Sequence, residues 1–244
     1  MGCNKVVIKL GGSLITDKSN PHTVNWESLN DVIDQIARFH NKYDSKIVLV
    51  HGGGSFGHYE VERIKKNKSI IDKVATSEIQ ESMLTLALAV IKLLVNSGIP
   101  ASLHPAHTIC NTNNAKNCNY MPIIRDLNNG LIPVTYGDAI FDNEGKIISG
   151  DDLSVEISNI INSDCLFFAT DVEGILDEKG NLIKEVNKNY KITIINRAQF
   201  DVTGGIISKI NKAFNSKSSN IRILSGKKLF NALIGEDVGT RIIN

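Results

Sequence analysis

Five short runs of Val, Ile and Leu recur along the chain, at residues 5–10, 46–51, 131–135, 165–170 and 221–225. Each has strand length and carries apolar residues on both alternating sides, the pattern of a strand covered on two faces. Helical periodicity fills most of the gaps and predicts helices over 26–43, 77–96 and 153–162, the first and third preceded by capping-type residues. This alternation predicts an α/β fold with a mainly parallel sheet covered by helices on both faces. In the 77–96 segment, Ile79, Met83, Leu84, Leu86, Ala87, Val90, Ile91, Leu93 and Leu94 cover more than one face. That helix is expected to be buried on several sides, as core, as a subunit contact or as the wall of an apolar substrate pocket.

The polar stretches are expected to be turns. "NTNNAKNCN" at 111–119 predicts a loop or exposed hairpin, and "DNEGK" at 142–146 and "DEKGN" at 177–181 each place a turn-forming Gly between strand-like residues, predicting two hairpins. No repeat or low-complexity linker divides the chain. A single domain over residues 1–244 is expected, any division within it being a cleft.

Composition narrows the function. With 27 basic against 26 acidic residues the net charge is +1, so nothing points to nucleic acid or an anionic membrane as a bulk partner. Any anion must be bound locally. No apolar run reaches the length of a membrane span, and the first residues lead directly into a strand, so a cytoplasmic protein is expected. Cys3, Cys110, Cys118 and Cys165 have neither zinc-site spacing nor a disulfide-dense pattern, and are expected to be buried or incidental thiols of a reducing compartment.

The glycines supply the candidate chemistry, because they fall where strands end, and ligands of open α/β sheets collect there. "VIKLGGSLITDK" runs from a strand through Gly11, Gly12 and Ser13 to Lys18, with Lys9 just before the turn. Adjacent glycines let backbone amides approach a phosphate, and the two lysines could neutralise a transferred phosphoryl group. "KIVLVHGGGSFGH" repeats the arrangement and ends in His58, which could donate a hydrogen bond to phosphate. Its Gly52, Gly54 and Gly57 also fit G-x-G-x-x-G, but the acid such a dinucleotide site needs about 20 residues on would be Asp72, which follows no strand.

"DVTGGIISK" places Gly204 and Gly205 ahead of a helical stretch with Lys209 one turn in, and "ATDVEGIL" puts Thr170, Asp171 and Gly174 at a strand end. "SGDDLSVEIS" offers Asp151 and Asp152 at a helix start, one expected to cap and the other to hold lysine ammonium groups or, through water, Mg2+. The Walker sequence G-x-x-x-x-G-K-[ST] is absent, as are H-E-x-x-H and paired CxxC. Phosphoryl transfer by lysines and glycine amides is the chemistry that fits.

Taken in order, "KLGGS", "HGGGSFGH", "SGDD", "TDVEGI" and "DVTGG…K" resemble the amino acid kinase superfamily over nearly the whole chain. Within it, "GGGSFGH" with "ITDK" resembles the isopentenyl phosphate kinases. The resemblance implies a three-layer α/β/α sandwich with an acceptor-binding part over about 1–150 and a nucleotide-binding part over about 151–244. It further implies ATP-dependent conversion of isopentenyl phosphate to isopentenyl diphosphate, with Mg2+ carried mainly on the ATP phosphates, and a homodimer.

Transferred by position, Lys9, Leu10, Gly11, Gly12 and Ser13 would bind ATP phosphates, and Lys18 would stabilise the transition state. Gly53 and His58 would hold the acceptor phosphate, Gly54 would face ATP, and Gly150 would lie beside the acceptor. Asp152 would orient the lysines, with Asp151 the alternative; Asp171 and Gly174 would contact the nucleoside, and Gly205 and Lys209 would complete the phosphate cradle. The superfamily often has Met where this chain has Ile206, a small apolar exchange. Met83, Leu86 and Val90 are candidates for the wall around an isoprenoid tail. A fosfomycin-kinase-like enzyme and a non-catalytic nucleotide sensor of the same fold are the alternatives.

Overall fold

The computed structural model describes residues 2–67, 70–177, 179–189 and 204–244. Its strands are β1 (Lys5–Leu10), β2 (Lys46–His51), β3 (Ala101–Leu103), β4 (Ile132–Tyr136), β5 (Asp138–Asp142), β6 (Glu144–Ile148), β7 (Cys165–Thr170), β8 (Glu185–Asn187), β9 (Asn220–Ser225) and β10 (Thr240–Ile243). The helices are α1 (Gly12–Ile15), α2 (Trp26–Lys42), α3 (Gly54–Asn67), α4 (Lys73–Asn96), α5 (Ala106–Ile109), α6 (Met121–Asn128), α7 (Gly150–Ile160), α8 (Gly204–Ala213) and α9 (Leu229–Leu233).

Eight strands form one sheet in the order β3-β4-β2-β1-β7-β9-β10-β8, parallel from β3 through β9, with β10 antiparallel to β9. Strand β1 lies at its middle, and successive side chains alternate between two cores. Val6, Ile8 and Leu10 pack with residues of α2, α4 and α9, while Val7 packs with residues of α7 and α8 on the other face. The alternation's helix-covered, mainly parallel sheet is therefore present, as the three-layer α/β/α sandwich that the resemblance implies. Chain connections diverge from β1 towards β2 on one side and from β7 towards β9 on the other. The crevice at the carboxyl ends of β1 and β7 is thus the topological switch point, where ligands of open sheets bind.

Helix starts differ from the expected ones for identifiable reasons. Helix α4 begins at Lys73, not at 77, because the Asp72 side chain accepts the Ala75 amide at 2.9 Å. Asp72 is therefore a cap. Helix α7 begins at Gly150, capped by Ser149, whose hydroxyl accepts the Asp151 amide at 3.2 Å, so both aspartates lie inside the first turn. The hairpin of β5 and β6 forms, but its left-handed residue is Asn143 (φ 61°), and Gly145 sits within β6, where a Cβ would strike Thr76 and Ile71. The second turn closes through a bridge between Leu176 and Leu182, with Gly180 left-handed.

The cysteines overturn an expectation. Cys3 is bonded to Cys165 and Cys110 to Cys118, and no thiol is free among the described residues. Because β1 and β7 pair in parallel with Val6 opposite Cys165, Cys3 at the foot of β1 meets a partner 162 residues away. Linear spacing carries no trace of that proximity. Around Cys118 the Asn-rich stretch is a stapled loop containing a short 3-10 turn, Ala115–Asn117, rather than an open hairpin. The argument for a reducing compartment from unpaired thiols loses its basis. Among the described residues no helix is long and apolar enough to cross a membrane.

Replacing Cys3 and Cys165 by Ala is expected to lower the unfolding free energy by about 2–4 kcal/mol, since the bond restrains a long loop in the unfolded chain. Urea unfolding of both proteins checks this: the difference should appear under oxidising conditions and vanish with dithiothreitol.

Candidate active site

Two glycine loops meet at the switch point. Gly11 donates to Ala169 O at 2.8 Å and Gly52 donates to Leu10 O at 2.9 Å, so the loops after β1, β2 and β7 are tied edge to edge. A Cβ on Gly12 would fall on the Gly54 amide nitrogen, and one on Gly54 would meet Thr16 Oγ1 and lie 2.7 Å from Gly12 O. Gly54 also takes φ 49°, which glycine alone adopts at little cost. A Cβ on Gly52 would be 2.8 Å from the Gly12 nitrogen and 3.2 Å from Lys9 Nζ. These glycines are demanded first by backbone-to-backbone contact, before any ligand enters. The cradle they leave is one that side chains would fill, which suits a phosphate chain.

Lys9 follows the alternation of β1 onto the face covered by α7 and α8. Its ammonium lies 3.0 Å from Asp151 Oδ1, and Lys209 Nζ lies 3.0 and 2.9 Å from the two Asp151 oxygens. Lys9 and Lys209 are buried, and Lys209 Nζ sits 5.1 Å from the centre of the Phe168 ring. The carboxylate between the two lysines is Asp151; Asp152, the expected one, pairs with Lys212 at 2.8 Å. One residue turns a helix side chain by about 100°, so Asp151 faces β1 and Asp152 faces the next turn of α8. Lys212, three residues after Lys209, makes the second rung of this ladder and carries no motif that would mark it.

The charges reshape one another. Burial alone would raise the Asp151 carboxyl, but Lys9 and Lys209 overcome it and hold it well below the usual carboxylate range. Lys209 is pushed down to about 8, by burial first and then by Lys9, against the pull of Asp151. His51, buried at the end of β2, is pushed down to about 4 by burial, and its Nε2 finds no partner among the described residues.

His58 lies in the second turn of α3, its side chain reaching solvent. Loss of surrounding water, followed by repulsion from Lys9, lowers its pKa; Glu62 and Asp151 oppose the shift and Lys18 adds to it. The shift favours the neutral ring, which can donate one N–H. Lys18 is more exposed, 3.7 Å from Asp171 Oδ2, whose other oxygen accepts the Ser13 hydroxyl at 2.8 Å. Asp171 is thus tied to the glycine loop after β1 by Ser13, and to Lys18 beyond it.

Several other candidates have mainly packing surroundings. Leu10 is fully buried, leaving only its backbone to the site. A Cβ on Gly174 (φ 152°) would lie 2.7 Å from Leu182 and Thr240 atoms, so this glycine admits β10. Gly150 packs beside His51 O, and Gly53 is 3.2 Å, at its Cβ position, from Met83 Sδ. Met83 thereby underlies the glycine loop after β2. Leu86 and Val90, in contrast, are fully buried in the core shared with α2. Gly205 lies in the first turn of α8, while Asp201, Val202 and Thr203 of the same motif fall outside the described residues.

Comparison with known proteins agrees with this geometry. The chain is 32% identical to the isopentenyl phosphate kinase of Methanocaldococcus jannaschii, over 97% of each protein. It is 31% identical to that of Thermoplasma acidophilum, over 96% of this chain and 94% of the relative. The crystal structure of the T. acidophilum isopentenyl phosphate kinase product complex superposes with a TM-score of 0.79 at 26% identity, covering 98% of this chain and 99% of that one. Residues 4–224 match the amino acid kinase family, and the chain belongs to that family.

Proposed function

We propose that this chain transfers the γ-phosphoryl group of ATP to isopentenyl phosphate, yielding isopentenyl diphosphate and ADP for isoprenoid synthesis. The observation that carries this is the near full-length similarity to isopentenyl phosphate kinases in a chain that keeps Lys9, Asp151 and Lys209 in contact at the switch point. A phosphonate kinase or a non-catalytic sensor is not favoured, because those relatives are isopentenyl phosphate kinases and Lys9, Lys18 and Lys209 are all present.

A phosphate monoester oxygen is already anionic near neutral pH, so attack needs no general base, and catalysis reduces to positioning and charge neutralisation. Lys9 and Lys209, with the amides of Gly12, Ser13 and Gly205, hold the ATP phosphates, and Gly11 shapes the turn beneath them; Gly54 faces the same side. Asp151 keeps both lysines in place, and Lys18 meets charge on the phosphoryl group in flight. Gly53, Gly150 and neutral His58 clamp the acceptor phosphate, and Met83 forms the floor towards its tail. Asp171 and Gly174 border the nucleoside. Mg2+ enters with ATP as part of the substrate. The acceptor side corresponds to residues 1–150 and the nucleotide side to 151–244. Dependence on ATP is the argument for a cytoplasmic site of action.

A homodimer fits the outer face of α4. Leu84, Leu88, Ile91 and Val95, spaced four, three and four residues apart, form a stripe whose first, second and fourth members are exposed. This spacing suits a helix packed against its own copy.

Isopentenyl phosphate with Mg-ATP should give ADP at steady state, whereas fosfomycin and uridylate should not; ATP binding without turnover on any acceptor would overturn the proposal. His58→Asn should lower kcat/KM for isopentenyl phosphate by about a hundredfold, with ATP affinity nearly unchanged. Asp151→Asn removes the charge that raises the Lys209 pKa, so the alkaline limb of kcat/KM for ATP, near pH 8 in the wild type, should move to lower pH. Asp152→Asn should leave that limb in place. Leu88→Glu should shift the protein from dimer to monomer in light scattering.

A further inference from the structure

The turn between α1 and α2 carries Lys18, helix α3 carries His58, and the two are joined by side chains that the transfer itself does not use. Thr16 Oγ1 donates to Gly12 O at 2.7 Å and accepts the Ser55 amide at 2.9 Å. Ser55 Oγ accepts the Thr23 amide at 3.3 Å and donates to Thr23 O at 3.1 Å. The His22 amide donates to Ser55 O at 3.0 Å. Within the turn, Asp17 accepts the Ser19 amide and the Asn20 side chain, each at 2.9 Å.

One contact reaches further along α3. His22 Nε2 lies 2.7 Å from Glu60 Oε1, and its ring packs against Phe56 and Tyr59 with centroids 5.5 Å apart in each case. Glu60 is buried, and its second oxygen accepts Arg63 Nε and Nη2 at 2.9 and 2.6 Å. Arg63 also reaches Glu78 on α4 at 2.7 Å. His22 has φ 50°, a conformation few side-chain-bearing residues adopt unless their surroundings impose it. Its anchor, Glu60, is two residues after His58 on the same helix.

We propose that His22 is a positioning residue: by clasping Glu60 it locks the Lys18 turn to the helix that bears His58, and so sets the distance between the two. The proposal rests on the roles assigned above to Lys18 and His58. Lys18 sits on an exposed turn, and in-line transfer tolerates little displacement of the groups that surround it. The bonds through Thr16 and Ser55 hold the two ends of the turn; the His22 ring adds a separate fixed point, on a carboxylate immobilised by Arg63.

The test is kinetics of full-length His22→Ala and His22→Gln, each alone and in a Lys18→Ala background, with amide exchange on the free proteins. His22→Ala should lower kcat about tenfold or more while changing KM for ATP less than twofold. His22→Gln, which keeps a donor for Glu60, should recover most of that loss. In the Lys18→Ala background, His22→Ala should cost less than twofold, because the lysine through which it acts is gone. Amides of Ser19, Asn20 and Thr23 should exchange at least tenfold faster in His22→Ala than in the wild type. An unchanged kcat, an undiminished loss without Lys18, or unchanged exchange would each overturn the clasp. A wild type inactive on isopentenyl phosphate would instead count against the substrate assignment, and the exchange measurement would still decide for or against the clasp.

Discussion

Asp151 touches two buried ammonium groups, and three separate parts of the fold exist in register because of it. Lys9 comes from the end of β1, the carboxylate from the first turn of α7, and Lys209 from the middle of α8. Burying one charge without its partners is costly, and removing a single member of such a buried group typically costs about 3–5 kcal/mol. The sheet must therefore deliver the end of β1 to the start of α7, and α8 must pack against α7 at a set height. The second rung, Asp152 with Lys212, repeats the pairing nearer solvent and helps fix that height.

Most of the architecture was legible in the pattern of apolar residues, because central strands buried on both faces write themselves as continuous Val, Ile and Leu runs. The short outer strands β3, β8 and β10 were not, since three or four residues leave too little periodicity to read. Locally determined features were also visible: glycines at strand ends, the helix of α4, the turn of β5 and β6. Features that depend on which residues meet across the sheet were hidden, above all the bond between Cys3 and Cys165.

The site divides in the same way. The motifs pointed to Lys9, Lys209 and His58 because each stands at a fixed offset from glycines. The choice between Asp151 and Asp152 turned on a helix start that lies three residues before the predicted one, since Ser149 is the cap. Leu86 and Val90 share the apolar character of Met83, and only packing separates the residue beneath a loop from those in the core. His22 and Glu60 are 38 residues apart with no motif around either, so their pairing needed three dimensions.

The glycine contacts also change what the loops are for. Gly12 and Gly54 press backbone on backbone, so donor-side and acceptor-side loops form one rigid seam. Two lysines against one carboxylate leave that seam with an uncompensated positive charge in a partly dehydrated place. Folding without a ligand must carry this repulsion, and a bound polyanion relieves it. The stability of the fold is thus coupled, by mass action, to whether a polyanion occupies this one seam.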